Sequence, residues 1–140
     1  MQKFIPLIAR TFLAVIFVRS GFDKAFFNFA ATQQQMAEAG IPIPFVVLIF
    51  TIAFQIVGGI SLILGYKAQI GAILLLIFLV PATLVFHNPI ADPSQTIDFM
   101  KNLAILGGLL MVVSFGAGSL SLDARTRESK GYLRTTQLKE

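Results

Sequence analysis

Cysteine is absent from this 140-residue chain, histidine occurs once, and charged residues make up only 13% of it. Each shortage removes a class of chemistry. Without cysteine the chain has no disulfide, no thiolate metal site, no iron–sulfur cluster and no thiol redox cycle of its own. A single histidine, His87, cannot supply both axial ligands of a bis-histidine haem within one chain. No phosphate-cradling glycine loop, zinc-ligand spacing or nucleophile elbow is present, so no metal site and no catalytic residue is assigned. Scarcity of charge also argues against a water-soluble globule. Soluble domains are typically about 25% charged, and so few polar residues could not cover a small fold's water-facing surface.

What the chain has instead is apolar residues in long runs. They make up 56% of it, and the mean hydropathy is +0.80. Four stretches, roughly 4–22, 45–65, 68–87 and 98–116, each approach the ~20 residues a helix needs to cross a hydrocarbon core of about 30 Å. The expected fold is all-α: a polytopic membrane four-helix bundle over residues 1–123, followed by a basic tail, 124–140. The connections are too short for a second core. Arg10 and Arg19 interrupt the first run and no small-x-small site follows it, so this helix is expected to be retained rather than cleaved as a signal peptide.

Four spans put both termini on one side. That side would hold Lys3, Lys67, Arg125, Arg127, Lys130, Arg134 and Lys139, against Lys24 and Lys101 on the other. Basic residues near membrane ends favour the cytoplasm, so both termini are expected inside, across a bacterial-type inner membrane or a related internal one. The net charge of +4 resides mostly after position 124. It reads as topology, with no nucleic-acid partner. The tail either lies along the anionic leaflet or docks a larger complex.

The first loop, about 23–44, holds Phe26, Phe27 and Phe29 before Thr32-Gln33-Gln34-Gln35, a sequence resembling a capping box. A short interfacial helix from Thr32 to Ala39 is expected, ended by Gly40 with Pro42 and Pro44 beyond; the alternative is a loosely ordered loop. Gly65-Tyr66-Lys67 reads as a tight turn between the second and third spans. Gly58-Gly59 and Gly107-Gly108 read as points of close helix approach, and Pro81 as a kink within the third span.

In lipid the informative residues are polar. A charged side chain at a helix centre costs about 2.5–3.5 kcal/mol on insertion scales. Nine residues apart, Arg10 and Arg19 fall on opposite faces of the first helix. Arg19 has Asp23 at i,i+4 as a neutralising partner. Arg10 either snorkels to headgroups or ties helices together from a buried position. A second group gathers toward the opposite end: Ser20, Lys24, Gln55, Thr83, His87, Lys101 and Asn102. If they converge they line a polar pocket beneath the Phe-rich loop, with Arg19, Lys24 and Lys101 set against Asp23 and Asp98. Each alone is more simply an interfacial anchor or a helix cap. Gln55 is the exception, because an amide near the midplane needs an interhelical hydrogen bond.

Taken in order, these residues resemble the DoxX family of small membrane proteins over about residues 5–123. The resemblance rests on Arg10, Phe17, Ser20-Gly21-x-x-Lys24, Gly40-Ile41-Pro42, Gln55-x-x-Gly58-Gly59 and Leu64-Gly65. It continues with Ala82-Thr83-x-x-Phe86-His87, Lys101-Asn102, Gly107-Gly108, Gly116-x-Gly118 and Ser121-Leu122-Asp123. It implies a four-helix bundle. For some members it implies a place in membrane oxidoreductase systems, including thiosulfate:quinone oxidoreduction and oxidative-stress complexes. Relatives often carry Glu where this chain has Gln55; an amide cannot titrate, which leaves hydrogen bonding as the role there. The expected function is thus an auxiliary subunit of a membrane redox system, with no intrinsic cofactor and a quinone or lipid suited to the pocket. The alternative is a structural or assembly subunit of a larger membrane complex or homo-oligomer. A small transporter ranks third, because no pair of interrupted spans marks matching halves.

Overall fold

A computed structural model describes residues 1–137. Within them the chain is all helical: α1 (Ile5–Phe26), α2 (Phe29–Glu38), α3 (Pro44–Leu64), α4 (Ala68–Phe86), α5 (Thr96–Phe115) and α6 (Leu122–Gln137), with a 3-10 turn at Pro93–Gln95. Four of these segments are long and apolar enough to cross a membrane: Ile5–Phe26, Pro44–Leu64, Ala68–Phe86 and Pro93–Phe115. The expected polytopic bundle is therefore what the chain forms. Lys139 lies outside the described residues.

Local sequence explains most helix ends. Proline opens α1 and α3, where a missing N–H costs nothing. Gly40 (φ +76°) and Gly65 (φ +65°) end α2 and α3 in the left-handed conformation. After each, a returning N–H closes the last turn: Ile41 to Met36 O at 3.0 Å, and Tyr66 to Ser61 O at 3.2 Å. Pro81 is accommodated inside α4.

Helix packing runs α1, α3, α4, α5, with α3 touching both α1 and α4. Lipid tails are as apolar as leucine, so close packing rather than hydrophobic burial must hold these helices together. The adjacent glycines of α3 serve two neighbours. A Cβ at Gly58 would lie 2.9 Å from Gly71 O of α4, and one at Gly59 would lie 2.5 Å from Val18 of α1. Of the second glycine pair, Gly108 meets Leu13 and Gly107 meets nothing, so only one of them permits close approach. The core between the four spans comprises Ala14, Phe17, Leu62, Ala72, Leu75, Leu79 and Leu109. Phe12, Ile49, Ile77 and Leu110 face outward.

The end of the bundle where α1 begins and α6 starts is stitched by polar groups. Arg10 is buried and donates to Ala117 O and to Leu120 O, tying α1 to the chain after α5. These bonds match the helix-tying reading of Arg10, with loop carbonyls as its partners. Gly116 (φ +75°) and Gly118 (φ +81°) make the turn that brings those carbonyls around. Ser121 Oγ accepts from Ala124 N at 3.1 Å and so caps α6. Asp123 reaches across the bundle. Its two carboxylate oxygens accept from Lys67 N at 2.7 Å and Ala68 N at 3.1 Å, capping α4. α6 therefore begins two residues before the expected start of the tail.

Two local expectations are corrected. α1 runs on to Phe26, and Phe27 N and Asn28 N both return to Asp23 O, so α2 starts at Phe29 rather than Thr32. No capping box forms there. Thr32 Oγ1 instead bonds Asn28 O at 2.7 Å from within the helix. The Arg19–Asp23 pair is not made either: Asn28 Nδ2, brought back by the same turn, donates to Asp23 Oδ2 at 2.8 Å, and Arg19 stays exposed.

Replacing Arg10 by Leu should leave the Ala117 and Leu120 carbonyls unpaired, at about 1–3 kcal/mol each. Unfolding in mixed micelles should show a loss of about 2–6 kcal/mol, with Arg19→Ala within about 0.5 kcal/mol of the parent.

Candidate ligand-binding cavity

At the other end the helices part around a cavity of about 730 Å³. Its walls are apolar below, with Ile16, Phe17, Phe78, Leu79, Ala82 and Phe86, and polar above. α2 lies across it: Thr32, Gln35, Met36 and Ala39, spaced i, i+3, i+4, i+7, form one lining face. A second, almost wholly apolar cleft of about 300 Å³ adjoins it between α2, α3 and α4. The two share Met36, Thr51, Phe78, Ala82 and Phe86.

The polar groups sit in two rows. On one side Lys24 Nζ donates to Ser20 Oγ at 2.5 Å, and Gln55 Nε2 reaches the same oxygen from α3 at 3.3 Å. Gln55 is 2% exposed, and its Oε1 has no protein partner. A buried unpaired amide oxygen costs about 1–3 kcal/mol unless something else meets it. Gly21, the residue after Ser20, lets α3 approach: a Cβ there would lie 3.2 Å from Gln55 Cβ.

Opposite, His87 Nδ1 and Gln95 Oε1 are 2.8 Å apart. Asn102 Nδ2 donates to Thr83 Oγ1 at 3.0 Å, joining α5 to α4, and Thr83 in turn donates to Leu79 O at 2.7 Å. Gln95 is placed by the turn before it. Ser94 donates its hydroxyl (2.7 Å) and its backbone N–H (2.9 Å) to Asp92 Oδ1. These bonds, the hydroxyl's first, hold the Asp92 carboxyl below the ordinary carboxylate range.

Of the seven residues singled out from sequence, Ser20, Lys24, Gln55, His87 and Asn102 line the cavity together. Thr83 is buried behind Asn102. Lys101 is not part of it; its side chain is 65% exposed and pairs with Asp98 at 2.5 Å. Asp98, Arg19 and Asp23 also stay out of the lining, and its charged groups are Lys24 and Glu38. Sequence reasoning missed Thr32, Gln35, Glu38 and Gln95. The i, i+3, i+4, i+7 spacing on α2 was a readable signal for Thr32 and Gln35. Nothing local marked Gln95.

Comparison with known proteins decides the family. The DoxX family model matches residues 5–88, more than half of the chain. The chain belongs to the DoxX family. It is 31% identical to inner membrane protein YqjF of Escherichia coli over 120 residues, covering 84% of this chain and 88% of that protein. It is 30% identical to inner membrane protein YphA of the same organism, covering 85% and 88%. A shorter likeness, 35% over 83 residues, links 56% of the chain to 27% of the ER-derived vesicles protein ERV29 of Saccharomyces cerevisiae. No solved structure matches the chain. The DoxX match takes in α1 to α4 and with them Ser20, Lys24, Gln55, Thr83 and His87. Gln95 and Asn102 lie beyond it.

Proposed function

We propose that this DoxX protein is an auxiliary, non-catalytic subunit of a membrane redox system that holds a quinone, or a lipid of similar build, in the cavity between α1, α3 and α4. One observation carries the reading. The buried amide of Gln55 donates to Ser20, its oxygen has no partner, and the residue lines a cavity with a polar rim and an apolar annex. The combination fits an amphiphile whose ring or headgroup carries oxygen and whose tail is hydrocarbon. Lys24, His87 and Asn102 offer further polar contacts around the same space. The chain has no cysteine, and in this reading its part is to bind and orient the amphiphile while electrons move elsewhere.

A second reading, a structural or assembly subunit of a larger complex, draws on α5. Leu109 and Val112 are that helix's buried residues, which leaves most of its apolar surface for lipid or a neighbouring subunit. The two readings separate by what copurifies.

Quinone extracted from protein purified in mild detergent should be near stoichiometric. Gln55→Leu and His87→Ala should each weaken its retention by about fivefold, the worth of one net hydrogen bond. Quinone absent from the parent, or held equally by both variants, contradicts the reading.

For orientation we infer an inner membrane with both termini in the cytoplasm, because Lys3, Lys67, Arg125, Arg127, Lys130 and Arg134 share one end. The chain lacks cysteine, so a cysteine placed at Lys101 reports topology cleanly. An impermeant maleimide should reach it from outside intact cells and should not reach one placed at Arg125. The reverse pattern contradicts the orientation.

A further inference from the structure

At the end opposite the cavity, α6 lies beside the α3–α4 turn. Asp123, Thr126, Arg127 and Lys130 are spaced i, i+3, i+4, i+7 and share one helix face. They line a groove of about 400 Å³ whose other wall is Tyr66, Lys67, Gln69 and Ile70. The groove holds three cations and one carboxylate. That carboxylate is already engaged, because both Asp123 oxygens accept backbone N–H groups of Lys67 and Ala68. Lys67 Nζ lies 5.7 Å from the centre of the Tyr66 ring. Ile70 stands in the first turn of a membrane span and is exposed. A net-positive, headgroup-sized groove therefore runs directly onto a lipid-facing apolar surface.

We propose that this groove binds the headgroup of an anionic phospholipid, with its phosphate between Lys67, Arg127 and Lys130 and its acyl chains descending past Ile70. Two features favour a lipid over a soluble phosphate. The cations stand at the mouth of a membrane span, and the apolar wall continues into the region that acyl chains occupy. Guanidinium and ammonium donors give phosphate charge-assisted hydrogen bonds, and a basic residue near an anionic leaflet adds to this. The site is independent of the cavity and stands or falls without it.

Native mass spectrometry of the full chain in mild detergent, with phosphatidylglycerol or phosphatidylcholine added, tests the proposal. One phosphatidylglycerol per chain should be retained about tenfold more tightly than phosphatidylcholine. The double substitution Arg127→Ala/Lys130→Ala should abolish that preference. Lys67→Ala, which leaves α6 untouched, should reduce it. Arg125→Ala, about 200° around the helix from Arg127, should keep it. Equal retention of the two lipids, or an Arg125→Ala loss as large as that of Lys67→Ala, overturns the proposal. Displacement of the lipid by millimolar inorganic phosphate also overturns it, in favour of a soluble-anion site.

Discussion

Inside a bilayer there is no water to answer a polar group, so every donor and acceptor on these spans must find a partner in protein or in a guest. That constraint organises the molecule. Thr83, Asn102 and Ser61 are each answered by a hydroxyl, an amide or a backbone carbonyl within reach. Arg10 takes two carbonyls of the loop after α5, Ala117 O and Leu120 O. Among the described residues two buried atoms stay unpaired, Arg10 Nε at the polar end and Gln55 Oε1 near the midplane, and Gln55 is also a lining residue of the cavity.

The two ends of the bundle do different work. At one end Arg10, Ser121 and Asp123 draw α1, α4, α6 and the loop after α5 into one polar knot, with Gly65 giving the closeness it needs. A Cβ there would lie 2.5 Å from Ser121 Cβ and 2.9 Å from the Arg10 guanidinium carbon. At the other end the helices part and α2 covers the gap. α3 joins the two regions, with Gly58 and Gly59 packed tightly on α4 and α1 and Gln55 one turn nearer the cavity. A closely packed seam thus lies beneath a hollow mouth.

Much of this was legible in the residues. Four spans follow from hydropathy, Gly40 and Gly65 announce their helix ends, and the need of a midplane amide for a partner singled out Gln55. Facing was harder. Lys101 and Asn102 are adjacent, yet about 100° of rotation sends one to Asp98 in the open and the other to Thr83 inside. Because α5 buries so little, its pattern scarcely marks an inner face. The reach of Asp123 to a helix start 55 residues earlier was beyond local reading, as was the choice between two roles for Arg10. Each of these depends on which loop folds over which helix end. α2 combined both cases: Gly40 marked its end, while its start was moved by the return of Asn28 to Asp23.

The central claim is that the cavity around Gln55 receives an amphiphile from the membrane. A photoactivatable azido-quinone, irradiated with the full chain in lipid and mapped by peptide mass spectrometry, tests it most directly. The account predicts labels on Met36, Phe86 and the segment from His87 to Asn102, suppressed by excess unlabelled quinone. Labels confined to outward residues such as Phe12, Leu110 and Phe115, or labels indifferent to competition, would contradict it.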